Sequence, residues 1–475
     1  MDLKGLLLLA LLVFEFSSLA YGNLVFPVEH KFKGRQRTLS AMKAHDDRRR
    51  ARILSALDLS LGGNGRPSKT GLYYTKIQLG SPPMDYYVQV DTGSDILWVN
   101  CVQCKTCPQK SSLKIELILY DPKSSNTSHL VSCNDDFCTS TYNGPVNGCK
   151  PGMGCEFSVV YGDGSGTAGY FVRDYLTFDQ VNGNLQTTPG NSNVIFGCGA
   201  SHSGGLSSSD DDDALGGIIG FGQANSSVLS QLAAAGKAKR IFSHCLDTHR
   251  GGGIFAIGEV DEPKVKKSPL VANQAHYNLF LKDIEVDKDF LDLPTSIFDF
   301  GTGQRAIIDS GTTLAYLPSS VYEQLMSKVF SRQPGLETHT RNDHIICFDY
   351  DGNVDNGFPT VKFHFKESAT LTVYPHDYLF EFDNEWCVGW LRTTSQSKDG
   401  REMTLLGDLV LSNRLFVYDL ENMSIGWTDY NCSSSIKVKD RESVYKVSAH
   451  DISLACAVLI GRILSFIFLL VAMLA

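Results

Sequence analysis

Charge is scarce in this chain. Asp, Glu, Lys and Arg make up 20% of the 475 residues and the formal net charge is −9. That balance gives no reason to expect nucleic acid as a partner. Helical signals are few. Ser320-Val321-Tyr322-Glu323 has the pattern of a capping box and opens an apolar-periodic stretch to about Phe330, and a second short helix is expected around Val228 to Ala235. A second pair of metal ligands is lacking beside Cys101-x2-Cys104-x2-Cys107, and without one the spacing does not make a zinc site. Long apolar runs occur only at the two ends of the chain. What is present, 43% hydrophobic residues, suffices for a large core and two or three globular domains.

The first apolar run, Leu6 to Phe14, is too short to span a membrane and is preceded by Lys4 and followed by small residues. It reads as a signal peptide, residues 1–22, cut after Gly22. Thirteen cysteines suit the oxidising compartment to which such a peptide leads. One of them, Cys456, lies in the terminal apolar run; loss of that run leaves twelve cysteines for six disulfides. Asn126, Asn225, Asn422 and Asn431 each open an acceptor triplet for glycosylation. Residues 23–67 carry a net charge of +6 and residues 68–448 carry −14. A basic leader on an acidic body suggests docking of one on the other, while Arg48-Arg49-Arg50-Ala51-Arg52 reads equally as a solvated helix face or a processing site.

After Pro67 the chain consists of short apolar and β-branched runs separated by Gly, Ser, Asp and Asn, the spacing of many short strands. A weak internal repeat runs through them. An apolar strand ending in Asp-Thr-Gly at Asp91 is followed by Ile218-Ile219-Gly220, and one ending in Asp-Ser-Gly at Asp309 is followed by Leu405-Leu406-Gly407. Between the copies, Gly258 to Leu270 is charged and turn-rich, which places a boundary between two similar halves near residue 265. Two facing carboxylates can activate water and protonate products at one site, because a shared proton leaves one as acceptor and the other as donor. The glycine after each Asp permits a tight turn, and Thr92, Ser94, Ser310 and Thr312 are placed to orient the carboxylates.

The segments Asp91 to Val99 (DTGSDILWV) and Ile307 to Thr313 (IIDSGTT) resemble the two active-site loops of pepsin-like aspartic proteases. The resemblance covers about residues 70 to 432. It implies an all-β, bilobal fold of two β-barrel-like lobes with a catalytic cleft between them and a few short helices. By the same resemblance Asp91 and Asp309 form the catalytic dyad, Ser94 and Thr312 hydrogen-bond their respective aspartates, and Thr92 and Ser310 brace the loops. Tyr161 stands where the family carries its flap tyrosine, and Trp98 where it carries that tyrosine's hydrogen-bond partner. The segment between Asp91 and Tyr161 departs from pepsin by an insert, residues 101–155, that holds seven cysteines. With YGDGSGTAG, IFGCG and IFSHCL it is similar to the atypical plant enzymes related to nepenthesins and nucellins. Polypeptide substrates, no cofactor, a monomer and a zymogen follow as implications, with a propeptide at 23–67, an N-terminal lobe at 68–265 and a C-terminal lobe at 266–432.

Nine of the twelve cysteines precede the boundary and three follow it, so full pairing requires a bridge between lobes. Cys347 and Cys387 are the expected local pair. Cys432 then crosses, with Cys198 or Cys245 as partner. Residues 433–448 read as a linker and 449–475 as a removed tail. Small residues at Ser448-Ala449-His450, a spacer from Asp451 to Arg462 and an apolar end from Ile463 to Ala475 match a GPI signal attaching at Ser448, with Ser433 to Ser435 as a rival site and a spanning helix as the alternative. These readings direct the chain to the outer face of the plasma membrane, with the cell wall or apoplast as its place after release. The main rival function is binding without cutting, since the family includes plant inhibitors of cell-wall hydrolases that have lost catalytic residues; another is a tethered interaction module built on the cysteine-rich insert.

Overall fold

Strands that alternate buried and partly exposed side chains, each ended by Gly, Asp or Asn, assemble into sheets wherever two apolar faces can meet. The structure, a computed structural model, describes residues 24–30, 73–110, 116–160, 165–207, 215–248, 252–293, 305–341, 344–393, 402–440 and 443–448. The expected signal peptide, most of the expected propeptide including residues 48–52, Tyr161 and the expected tail at 449–475 lie outside the described residues.

The sequence repeat is a repeat of strand pairing. Met84–Asp91 pairs in parallel with Gly217–Gly220, with Asp91 opposite Gly220. The chain then returns as Trp98–Asn100 against the other side of that same short strand. In the second half Arg305–Ile308 pairs in parallel with Thr404–Leu406, and Tyr316 meets Leu405 in the antiparallel sense. Each apolar-apolar-Gly strand is thus inserted between the two strands that flank an Asp loop. Only glycine fits there. A Cβ on Gly220 would lie 2.5 Å from the Asp95 carbonyl carbon, and one on Gly407 would lie 2.4 Å from the carbonyl oxygens of Thr312 and Leu314.

The two lobes share a sheet of 14 strands. It crosses from one to the other where Ile241–Leu246 pairs antiparallel with Arg414–Asp419, from Ile241 opposite Asp419 to Cys245 opposite Leu415. The second lobe adds sheets of eight and four strands. A core runs through both lobes and includes Val88, Val90, Leu97, Phe255, Tyr277, Ile308, Trp390 and Tyr418. Cys245 is bonded to Cys432 across the lobe boundary, and Cys347 to Cys387 across adjacent strands. In and around the insert the pairs are Cys101–Cys198, Cys104–Cys107, Cys133–Cys149 and Cys138–Cys155.

Two local expectations are corrected. The capping box at Ser320 and Glu323 is not formed. The helix is Ser319–Phe330 with Pro318 at its N-cap, and a carboxylate from far along the chain serves it instead: Glu402 accepts from the Ser319 N–H at 2.6 Å and from its hydroxyl at 2.9 Å. Proline has no N–H and fixes φ, which suits the start of a helix one residue earlier than the serine pattern indicates. The other helix, Val228–Ala234, is capped by Ser227, whose Oγ accepts the Ser230 N–H at 3.3 Å. Residues 433–448, read as a linker, carry a hairpin. Ser435–Asp440 pairs with Ser443–Ser448 and with Glu259–Val260, and buries Ile436 and Val438 beside Cys432 and Val181.

Gly407→Ala is expected to lower the free energy of unfolding by about 2 kcal/mol or more, because the methyl group meets backbone rather than a movable side chain. Denaturant unfolding of the purified variant checks this, and a midpoint equal to wild type would contradict the close fit.

Candidate active site

Asp91 and Asp309 stand at the ends of equivalent strands, and both are buried, at 0% and 1% exposure. Their loops hold one another. The Ser310 N–H donates to Thr92 Oγ1 at 2.9 Å, and the Thr92 N–H donates to Ser310 Oγ at 3.3 Å. Within each loop the glycine two residues on donates its N–H to the aspartate's Oδ1, Gly93 to Asp91 and Gly311 to Asp309, both at 2.9 Å. The strand beneath is tied to the loop as well, since Phe221 N–H donates to the Asp91 carbonyl at 2.8 Å and Asp408 N–H to the Thr312 carbonyl at 2.7 Å. The two carboxylates are thus fixed on backbone anchored in both lobes.

The two halves differ in one respect. Thr312 Oγ1 donates to Asp309 Oδ2 at 2.8 Å. The matching bond expected from Ser94 to Asp91 is not made: the buried Ser94 Oγ has no hydrogen-bond partner among the described residues. A threonine's γ-methyl restricts χ1, whereas serine turns freely, so the hydroxyl of Thr312 is held on its carboxylate and that of Ser94 is not. Trp98 is buried under the first loop with its ring edge-on to His202 at 5.3 Å, and His202 in turn is 2.7 Å from Asn100 Oδ1. Its expected partner, Tyr161, lies outside the described residues.

Sequence reasoning passed over Asp95, four residues after Asp91 in the same motif. Asp95 is buried, accepts the Ala224 N–H at 2.8 Å and packs against Gly222. Burial pushes its pKa up to about 6; the Ala224 hydrogen bond opposes this and the nearby Asp91 adds to it. Also passed over were Tyr277, whose hydroxyl donates to the Phe221 carbonyl at 2.6 Å, and the pair His244 and Tyr418. His244 falls within the quoted IFSHCL segment, so a signal was there, but nothing in a single sequence assigns it a partner.

Among the described residues, one group of side chains has the spacing of a metal site: Cys104, Cys107 and His202. The two cysteines are bonded to each other, so their sulfurs are not thiolate ligands. Two cavities away from the dyad, of about 750 Å³ near Arg414 and about 880 Å³ near Arg240, hold charges that pair locally, as in Arg414–Asp377 and Lys239–Glu259.

Two lobes joined through one sheet, with paired Asp loops interlocked at their interface, define a pepsin-like aspartic protease. Family models described as "Xylanase inhibitor N-terminal" and "Xylanase inhibitor C-terminal" match residues 73–259 and 276–429. Aspartic proteinase 36 of Arabidopsis thaliana is 51% identical over 453 residues, covering 95% of this chain and 93% of its own, and aspartic proteinase 39 of the same plant is 50% identical over 465 residues, covering 97% and 96%. Nepenthesin-2 of Nepenthes gracilis is 27% identical over 82% of this chain and 84% of its own. Among solved structures, conglutin gamma from lupine seeds shares the fold with a TM-score of 0.62 at 19% identity, over 86% of this chain and 96% of that one. The chain belongs to the plant pepsin-like aspartic proteases and is an aspartic-type endopeptidase.

Asp95 gives the site a pH dependence of its own. Its pKa is near 3.8 when unfolded and about 6 when folded, so folding takes up a proton between those values and stability falls as pH rises through that window. Asp95→Asn keeps an acceptor for Ala224 and removes the titration. The variant's stability relative to wild type should rise from pH 4 to pH 7 by up to about 3 kcal/mol. Urea unfolding at both pH values measures it, and a constant difference would contradict the assignment.

Proposed function

We propose that this chain hydrolyses polypeptides at acidic pH with a water held between Asp91 and Asp309, and that it is made as a zymogen in the secretory pathway and tethered to the cell surface. The observation that carries the catalytic part is the reciprocal pair of hydrogen bonds between Thr92 and Ser310, which brings the two Asp loops into one unit. With one proton shared, the ionised carboxylate takes a proton from water while the protonated one donates to the scissile carbonyl oxygen. The resulting tetrahedral intermediate then collapses as the leaving amine is protonated. Burial of both carboxylates strengthens each of these interactions by excluding water. Intact Asp-Thr-Gly and Asp-Ser-Gly loops favour cutting over the binding-only reading.

The zymogen reading is supported by the leader's backbone. Leu24–His30, within the expected propeptide, pairs with Gly253–Ile257 on one side and with Tyr73–Leu79 on the other. A segment bonded on both edges inside the interlobe sheet must be displaced, or its strand replaced, when the leader is removed. The secretory reading draws support from six disulfides and from Asn126, Asn225, Asn422 and Asn431, all of which are exposed.

The tether reading gains a preference between its two sites. Cleavage at Ser433 to Ser435 would remove Ile436, Val438 and both strands of the terminal hairpin, stripping buried apolar surface from around Cys432. Cleavage after Ser448, the last residue of that hairpin, keeps both of its strands. The packing supports attachment at Ser448 over Ser433 to Ser435 within this reading.

Asp91→Asn and Asp309→Asn are each expected to reduce cleavage of a denatured protein at acidic pH by about 10³-fold or more, with unchanged circular dichroism, and pepstatin should inhibit the wild type. Near-normal turnover by either variant would refute the dyad. Phosphatidylinositol-specific phospholipase C should release the protein from membranes; retention together with residues 463–475 found still attached would point to a spanning helix.

A further inference from the structure

The last described hairpin lies on the opposite side of the interlobe sheet from the dyad. Side chains of Ile241–Leu246 and Gly253–Ile257 alternate between the two faces of that sheet. On one face Phe242 and Phe255 pack against Phe221, with ring centroids at 5.3 and 4.4 Å, and Phe221 is the residue whose N–H holds the Asp91 carbonyl. On the other face Ile241, Cys245, Ile254, Ala256, Leu415 and Val417 form a separate cluster, which Ile436, Val438 and Tyr445 of the hairpin cover. Ser448, where the hairpin ends, pairs with Ser435, three residues beyond the Cys245–Cys432 bridge. The chain therefore leaves the described structure from the back of the molecule, with the sheet between it and the two carboxylates.

Burial of Ile436 and Val438 turns the alternate residues of their strand outward, and Lys437 is exposed, as are Val444 and Lys446 on the return strand. Lys437 stands directly opposite Lys446. The Lys446 N–H donates to Asn184 Oδ1 at 2.9 Å and its carbonyl accepts from the Leu185 N–H at 2.8 Å, while the Lys437 carbonyl accepts from the Asp261 N–H at 2.9 Å. The backbone groups of the two lysines thus point away from each other. This makes theirs the closer, non-hydrogen-bonded kind of antiparallel pair, in which facing like charges are destabilising. Lys439, the next outward residue, is paired with Glu259 at 3.2 Å and Asp261 at 3.6 Å, whereas neither Lys437 nor Lys446 has an ion-pair partner among the described residues. Apolar side chains adjoin them: Val444 is 44% exposed, and Leu185, at the hairpin tip to which Lys446 is bonded, is 61% exposed.

We propose that this outer face is a lipid-docking surface, on which Lys437 and Lys446 take the phosphates of anionic headgroups, and that the docked enzyme holds its cleft away from the bilayer. A plane of phosphates supplies the counter-charge that the lysine pair lacks, and the long lysine stems reach it without moving the strands. Val444 and Leu185 add apolar contact at the same level. The position of the face decides its partner. Ser448 is the last residue of the strand that bears Lys446, and the tether, whether lipid at Ser448 or the apolar run after it, begins there. The proposal rests on that tether reading. Its consequence for the peptidase is that substrates reach the cleft from the aqueous space and not from the membrane surface.

The test labels membranes bearing the protein with an impermeant amine-acylating reagent, before and after solubilisation in detergent, and reads each lysine by mass spectrometry. Lys437 and Lys446 should be acylated at least about fivefold less on membranes, while Lys105 and Lys110, exposed in the insert, react alike in both states. Equal labelling of the hairpin lysines in both states, or equal protection of all four, would overturn the proposal. Protein released by phosphatidylinositol-specific phospholipase C is then mixed with phosphatidylcholine vesicles, with and without phosphatidylserine. Wild type should sediment with the acidic vesicles, and the double variant Lys437→Gln, Lys446→Gln should bind about tenfold more weakly, with unchanged cleavage of a soluble denatured protein. No binding by the wild type, or equal binding by the variant, would assign the protection to something other than lipid and overturn the proposal. Relief of the repulsion should leave the double variant at least as resistant to denaturant as the wild type, and a lower midpoint would mean that the lysines serve the fold instead. Should the phospholipase leave the protein in place, the lipid anchor fails but the docking face does not. A helix after Ser448 presents the same hairpin, and the labelling then decides alone. Protein recovered free of membranes goes directly to the vesicles, where the same outcomes apply.

Discussion

Two side-chain hydroxyls and two backbone N–H groups hold this active site together. Thr92 and Ser310 exchange hydrogen bonds across the lobe boundary, and each belongs to a loop whose next residue is a glycine donating to, or turning beside, a buried aspartate. The exchange ties together two aspartate loops that lie on different lobes, 218 residues apart in sequence. The surrounding structure serves to keep the exchange in register. Gly220 and Gly407 let short strands press against the loops from below, and Tyr277 ties the Phe221 backbone to the second lobe.

Much of this was legible in the sequence because the repeated features are local. An apolar strand, an Asp-(Thr/Ser)-Gly turn and an apolar-apolar-Gly triplet each leave a mark within a few residues, and their recurrence identified both halves. The all-β class followed from short β-branched runs with turn residues between them. What escaped was non-local. Glu402 serving a helix that begins at Ser319 leaves no mark near the serine, and the hairpin at 435–448 is stable only because Glu259–Val260 and the apolar cluster around Cys432 receive it. Asp95 was in plain view, yet its burial is a property of Gly222 and Ala224, more than 120 residues away. The missing Ser94 bond likewise turns on the freedom of one χ1 angle, which a motif does not encode.

The cysteine-rich insert is secured both by its own bridges and by the sheet it lies on. Cys133–Cys149 and Cys138–Cys155 close short loops within it, while Cys101–Cys198 binds its root to the strand that pairs with Trp98–Asn100. The root is therefore rigid next to Trp98, and the interior of the insert is tied to the strand Gly166–Gly183, which pairs with His129–Leu130 and whose Asp174 accepts from the Tyr120 and Thr127 hydroxyls. Insertions in such a place add surface without altering the strands that carry Asp91.

The lobes meet through five successive residue pairs between Ile241–Leu246 and Arg414–Asp419, and Cys245 is linked covalently to Cys432 beside them. This joint is anisotropic. Sliding one lobe along the other would break every rung of the ladder together and strain the bridge, whereas a small rotation about the strand axis changes only the twist, to which β-sheets yield readily. The jaws of such a molecule are accordingly barred from shearing, so the two acidic groups keep their alignment when a long, irregular chain lies between them.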